Sequence, residues 1–367
     1  MPRHTANRQT RIEPQVCRRP HGPAAACTPA FQQLRRHDMT DWLSRFVTDP
    51  AFSRTRSAVD LPRLAQSRIV LAGAGGAAAA ALDLARMGIG EFVLIDFDRV
   101  EAANIGTQSW RRSDIGLFKV EALARHLLAI SPRASLLTLA QPLQSYNAAC
   151  FGRLLHAPMA ELTRGVSPRS GAPATTLLCG MTDSVGAQAL INRHALAGGV
   201  PSLCVQIYQE GRAFELTFTC PGVTAACHRC ILAKRFAAHE SGLRTDGSSA
   251  GSPLTTTASA NALTELVALA LLHGPDGHRR WSDLLRAMGR RNLVQVRLDS
   301  DVAVTLGIRA FDRTFEGADL SRLLVGEPIW LEQARDPDCC DCGRETLHRW
   351  TPPPSLFIST AHPGRNS

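Results

Sequence analysis

The stretch that most constrains the fold is SRIVLAGAGG (67–76), an apolar run that ends in a cluster of glycines. AAAAALDLARMG (77–88) follows it with strong helix formers closed by Gly88, and EFVLIDFD (91–98) is a second apolar run of strand length. Continuous apolar runs of this length suit strands covered on both faces, and a glycine turn leading straight into a helix suits a strand–helix–strand crossover. The expectation is therefore a buried parallel sheet with right-handed crossovers.

The rest of the chain continues that alternation. GLFKVEALARHLLAIS (116–131) reads as an amphipathic helix stopped by Pro132, and ASLLTLAQPL (134–143) as a third strand. A segment with Pro158, Pro168 and Pro173 reads as a loop insertion before the strand TTLLCG (175–180). A helix at 185–198, a strand at 201–207 and hairpin-like strands at 210–222 come next. The Gly/Ser-rich stretch 240–256 reads as a mobile surface loop, followed by a helix at about 258–273 and a strand at 292–298. The fold class expected is α/β, a Rossmann-like, mainly parallel sheet flanked by helices, with β elements toward the C-terminus.

In the loop Gly73-Ala74-Gly75-Gly76, backbone N–H groups can approach phosphates closely, and the following helix adds its positive dipole end. The dinucleotide fingerprint has a further glycine where this chain has Ala78, and an acid about 20 residues on, a place Asp96 fills. An acid there suits NAD and ATP alike. The residues after it separate the two readings. Asp96 and Asp98 stand at the strand end, and Asn104, Gln108 and Lys119 follow on the segment that would fold over a phosphate chain. Hydride transfer has no use for this polar series, whereas holding and neutralising a triphosphate has.

These motifs resemble the ThiF/MoeB/HesA family, bacterial relatives of ubiquitin-activating enzymes, whose pattern is GxGGxG, then DxDxVxxSNLxRQ, then GxxK. The likeness runs from about Ser67 to Cys230 and, through the last cysteines, to about Gly343. It implies ATP-dependent adenylation of a carboxylate, most simply the C-terminal glycine of a ubiquitin-like or sulfur-carrier protein. Gly73, Gly75 and Gly76 would line the phosphates, with Asp96 on the ribose and Asp98 beside it. Asn104, Gln108 and Lys119 would contact the phosphates, and Asp183 in CGMTDS would hold Mg²⁺. The family's arginine falls at Thr107, so Arg111 or Arg112 is the expected substitute. A homodimer is implied as well, with Arg54 or Arg56 in the place of an arginine that reaches across it.

Two C-x-x-C pairs, Cys227/Cys230 and Cys339/Cys342, lie 108 residues apart. One such pair alone suits a redox site or two buried thiols equally well. Two pairs, each where the resembled family carries a zinc pair, imply a closed structural Zn²⁺ with Cys340 as a bystander. No cysteine lies between Cys230 and Cys339, so adenylation without a later covalent carrier is the simpler reading. Cys179 and Cys204, in apparent core strands, read as buried structural thiols, and His126 and His194 lack partners at metal spacing.

The formal charge of +9 suggests nucleic acid, but residues 1–37 hold seven arginines and one acid, so the excess is largely terminal. A nucleic-acid partner is therefore not expected. Apolar stretches such as LVALALL (266–272) fall short of a membrane span, and dilute, unevenly spaced cysteines suit a reducing cytoplasm. The organisation expected is a basic leader (1–38), an N-terminal helical segment (39–66), an ATP-binding core (67–230), a crossover loop (231–257), a C-terminal part ending in the zinc pair (258–343) and a tail (344–367). Two other readings stand beside adenylation: a non-catalytic relative that only binds, and an NAD(P)-dependent oxidoreductase.

Overall fold

The computed structural model describes residues 42–242, 251–298 and 326–343. The expected leader, the middle of the 240–256 loop and the tail lie outside these residues. The described residues belong to one compact unit, His37–Ser367.

Eight strands form one sheet: β1 Arg68–Ala72, β2 Glu91–Ile95, β3 Ser135–Leu139, β4 Thr176–Gly180, β5 Ser202–Tyr208, β6 Ala213–Thr219, β7 Leu293–Arg297 and β8 Pro328–Leu331. Their order is β3-β2-β1-β4-β5-β6-β7-β8. The first five pair in parallel, and β6, β7 and β8 add antiparallel. The expected Rossmann-like sheet is present, with β elements on its far edge. Every residue of β1 and β2 is buried, as a continuous apolar run in a two-sided sheet requires.

Helices cover both faces. On one lie α1 Trp42–Val47, α2 Leu61–Ala65, α3 Ala78–Arg86 and α4 Lys119–Ile130, together with α10 Leu254–His273 and α11 Arg279–Met288. On the other, α5 Ala148–His156, α6 Met159–Leu162 and α7 Val185–Gly198 pack against the alternate residues of the same strands. Ile69 and Leu71 point to the first layer and Val70 and Ala72 to the second. Two short helices, α8 His228–Ile231 and α9 Ala233–Glu240, follow β6.

The segment read as a loop insertion contains structure. Asn147 caps α5 by accepting from the Cys150 N–H at 2.8 Å, and the apolar Phe151, Leu154 and Leu155 dock on the sheet. The signal was a cap followed by a short amphipathic run, obscured by the prolines after it. Helix α7 matches its expected range. Ser184 caps its start and Gly199, at φ 63°, ends it in the left-handed conformation that glycine adopts freely.

Helix α10 has the length and composition to cross a membrane, yet more than half of its apolar window is buried. It lies on β4, β5 and β6 and against α3 and α11, the position of a core helix.

Candidate functional site

The strand order reverses about β1, between β2 and β4, which is where open α/β sheets leave a crevice at the carboxyl ends of their strands. A cleft of about 670 Å³ opens there. The segments after β1, β2, β3 and β4 and the end of β5 form its wall, and the first turns of α10 close one side.

The glycine turn is built by close backbone approach. Gly73 has φ 91°, and a Cβ on it would stand 2.3 Å from the Met181 carbonyl oxygen of the neighbouring turn. Only glycine fits. No side chain caps α3, and the Ala78 N–H bonds back to the Gly75 carbonyl at 3.2 Å, so the positive end of the helix sits directly behind the glycine turn that lines the cleft. A Cβ on Gly75 would touch the Gln108 amide at 3.1 Å, and Asn261 Nδ2 donates to the Gly76 carbonyl at 2.9 Å. Ala78 is buried with its methyl in the core, so the absent glycine of the dinucleotide fingerprint is a packing choice and no defect.

Asp96 ties this turn to β2. One carboxylate oxygen accepts the Ala74 N–H at 2.7 Å and the other the Asp98 N–H at 2.8 Å. Burial holds its pKa above the usual carboxylate value, against the smaller downward pull of the two amides and Lys119. Lys119, the first residue of α4, is 8% exposed and its Nζ donates to Asp98 Oδ2 at 2.9 Å. Asp98 is half exposed, so a phosphate can replace it as the lysine's partner. The chain has only two lysines, Lys119 and Lys234, among 41 basic residues. One of the two is the only cation among the described residues lining the cleft. A compact ammonium on a flexible stem follows a moving charge better than a planar guanidinium does.

The structure brings Gly73, Gly75, Gly76, Asp96, Asp98, Asn104, Gln108, Lys119 and Asp183 together on this wall. Asn104 Oδ1 accepts the Glu101 N–H at 2.9 Å, and Gln108 Oε1 accepts from Trp110 Nε1 at 2.7 Å, which orients both amides. Asp183 is exposed in the β4–α7 turn, directly before the Ser184 cap of α7. Thr107 lines the cleft where the arginine was expected, and a Cβ on Gly251 would approach its methyl at 3.0 Å. Arg111 and Arg112 do not line the cleft. They are exposed in a short 3₁₀ helix, Arg112–Asp114, with the Arg111 N–H bound to Asp114 Oδ2 at 2.7 Å. Two α10 residues went unforeseen, Thr257 and Asn261. Their spacing of four sets them on one face of α10, but that helix is apolar nearly all round, so the pair does not stand out in the sequence.

The two cysteine pairs also meet. The four sulfurs of Cys227, Cys230, Cys339 and Cys342 are buried and lie within 4.8 Å of one another, with Cys227–Cys230 at 3.7 Å, Cys227–Cys339 at 3.8 Å and Cys230–Cys342 at 3.5 Å. Tetrahedral Zn²⁺ with Zn–S bonds of about 2.3 Å sets sulfurs about 3.8 Å apart, so the cluster fits that ion. The surrounding groups are ordered too. Asn192 on α7 donates to Asp341 Oδ2 at 2.8 Å, Arg193 donates to its other oxygen at 2.9 Å, and the Asp336 N–H points at Cys230 Sγ at 3.5 Å. Cys340 is exposed, outside the cluster.

The thiols and imidazoles of Cys179, Cys204, His126 and His194 have structural surroundings. Cys179 and Cys204 are buried, and burial pushes the Cys204 thiol up to about 12. His126 pairs with Asp114 at 3.2 Å, and His194 stacks on Phe151 at 4.0 Å between ring centres.

Comparison with known proteins agrees with this architecture. Over 83 residues the chain is 37% identical to ubiquitin-like modifier-activating enzyme 5 of Drosophila willistoni, covering 22% of this chain and 20% of that protein. Over 164 residues it is 27% identical to the Culex quinquefasciatus enzyme of the same name, covering 43% and 39%. The matches thus span less than half the length of these curated relatives. Among solved structures, E. coli MccB with ATP is similar at a TM-score of 0.51 and 17% identity, over 77% of this chain and 70% of that one. MccB with AMPCPP and MccA gives 0.55 and 16%, over 82% and 76%. At such identities the likeness is one of fold. The ThiF family matches residues 51–295, two thirds of the sequence and every residue of the cleft wall, and the chain belongs to that family.

Proposed function

We propose that this protein adenylates a carboxylate at the expense of ATP, and that its substrate is the C-terminal glycine of a small ubiquitin-like or sulfur-carrier protein. The observation that carries the reading is the convergence, at one crevice, of an uncapped helix start behind a glycine turn, a carboxylate fixed to that turn, and the cleft's single lysine. The family and the names of the curated relatives support the same activity.

In this reading the triphosphate lies along Gly73–Gly76, with Asp96 accepting from the ribose hydroxyls. A carboxylate oxygen of the substrate attacks the α-phosphorus, the bond from that phosphorus to the bridging oxygen breaks, and pyrophosphate departs with the electron pair. An acyl-adenylate remains. Lys119 leaves Asp98 for the α-phosphate, where negative charge accumulates, and Asn104 and Gln108 hold the equatorial oxygens. Catalysis is then positioning and charge neutralisation, and no side-chain nucleophile takes part. Magnesium, held by Asp183 together with phosphate oxygens, would neutralise the charge on pyrophosphate. Zinc on the four thiolates would fasten the C-terminal segment to α7 and take no part in the chemistry. A homodimer belongs to the same proposal, and sedimentation checks it.

The direct test is ATP–pyrophosphate exchange with candidate proteins ending in Gly-Gly and, as a separate arm, short peptides with a free carboxylate. Exchange with a Gly-Gly protein that is lost in Lys119→Ala and Asp183→Ala supports the reading. Exchange that survives both substitutions defeats the site assignment, and binding of NAD(P) without pyrophosphate chemistry favours the oxidoreductase.

A further inference from the structure

A buried polar cluster lies behind the cleft wall, between the cysteine cluster and the β4–α7 turn. Arg235, on α9 five residues after Cys230, is 3% exposed and donates to the Glu215 carboxylate on β6 and to the Tyr208 hydroxyl on β5. Its other nitrogen, Nη2, donates to Gln188 Oε1 at 3.0 Å and to Gln206 Oε1 at 3.4 Å. Gln295 Nε2 donates to the second Glu215 oxygen at 3.3 Å. Gln188 is buried on α7, and its Nε2 donates to the Thr182 carbonyl at 2.8 Å and to Gln206 Oε1 at 3.2 Å. Thr182 directly precedes Asp183, and both line the cleft.

A buried ion pair is a poor source of stability, because desolvation offsets most of its attraction and an apolar pair of the same shape does as well. Its geometry is more informative. A guanidinium can only donate, so whichever end of the Gln188 amide faces Arg235 must be the oxygen. That leaves the NH₂ end to point at the Thr182 carbonyl. A cation fixed by Glu215 thus decides the orientation of an amide, and the amide holds the turn that carries Asp183.

We propose that Arg235 is a positioning residue for the nucleotide site: through Gln188 it locks the Thr182–Asp183 turn in place. The meaning of that turn for catalysis rests on the adenylation reading; the mechanical link does not.

The test is amide hydrogen exchange on the full-length protein without nucleotide, comparing wild type with Gln188→Met and Arg235→Lys. Arg235→Lys keeps a charge for Glu215 but lacks the planar fork that reaches Gln188 at the same time. In both variants the amides of residues 181–184 should exchange about tenfold faster while those of β1 stay at wild-type rates. Where Mg²⁺-dependent pyrophosphate exchange is present, the Mg²⁺ needed for half-maximal rate should rise about fivefold with kcat nearly unchanged. Turn amides that stay at wild-type rates in both variants overturn the proposal, as does acceleration spread equally over β1. A wild type without pyrophosphate exchange defeats the adenylation reading alone, since the amide rates still decide this one.

Discussion

The two halves of the sheet solve opposite problems. In the parallel half, β1 to β5, the chain keeps polar groups available at the strand ends: α3 starts without a cap, Lys119 rests on a half-exposed aspartate, and Asp183 is exposed. In the antiparallel half, β6 to β8, polar groups are closed off. The Arg235–Glu215 pair is fully buried and the four thiols face one another. Geometry held open for a ligand contributes little to stability, whereas the closed cysteine cluster contributes to it when metal binds and does no chemistry, and the buried ion pair serves orientation more than stability. The contrast predicts that substitutions on the open cleft wall strike activity and those in the cysteine cluster strike folding.

The largest effect is expected from Lys119→Ala. Losing the cleft's cation should lower pyrophosphate exchange by about 100- to 1000-fold, the range for removal of one preorganised charge donor, while the melting temperature moves little. A large loss of stability with activity preserved would reverse the contrast. Next is Cys227→Ser. Purified protein should carry about one equivalent of zinc, the variant should lose it, and denaturant unfolding should show a loss above about 4 kcal/mol, the scale of losing a structural metal. Metal analysis without zinc in either protein would break this half of the comparison.

Gly73→Ala sits between the two classes, because it places a Cβ against the Met181 carbonyl at a φ that side chains avoid. About 1–3 kcal/mol of strain is expected, with nucleotide binding weakened as the turn shifts. The smallest effect concerns pH. Burial, together with the neighbouring Asp83 carboxylate on α3, raises Glu265 on α10 to about 7. A carboxyl whose pKa is raised on folding binds its proton more tightly in the native state. Stability is therefore present at low pH and falls as pH rises from about 4.5 through 7. Glu265→Gln should flatten that part of the stability–pH curve, and a slope equal to wild type would remove Glu265 as its source.

Local pattern made much of the molecule legible beforehand. Continuous apolar runs marked β1, β2 and β4, the resumed alternation marked α7 at 185–198, and the polar series after β2 marked the cleft wall. Helix α5 was hidden because its cap and amphipathic run are short and prolines follow closely. Thr257 and Asn261 were hidden because a helix with little amphipathic contrast does not reveal which of its polar residues face a site. Arg111 and Arg112 were expected near the phosphates from their sequence distance to Thr107, but a 3₁₀ turn directs them to solvent.

The sequence by itself determined the parallel sheet, the glycine turn with its acid, the lysine, and the two cysteine pairs, because each depends on spacing within a few tens of residues. Tertiary structure alone decided which distant groups meet. It joined cysteines 108 residues apart into one cluster, set Asn261 on the glycine turn 185 residues away, and placed a buried arginine behind the wall that carries Asp183. Such meetings follow from how sheet and helices pack, and no local pattern of residues encodes them.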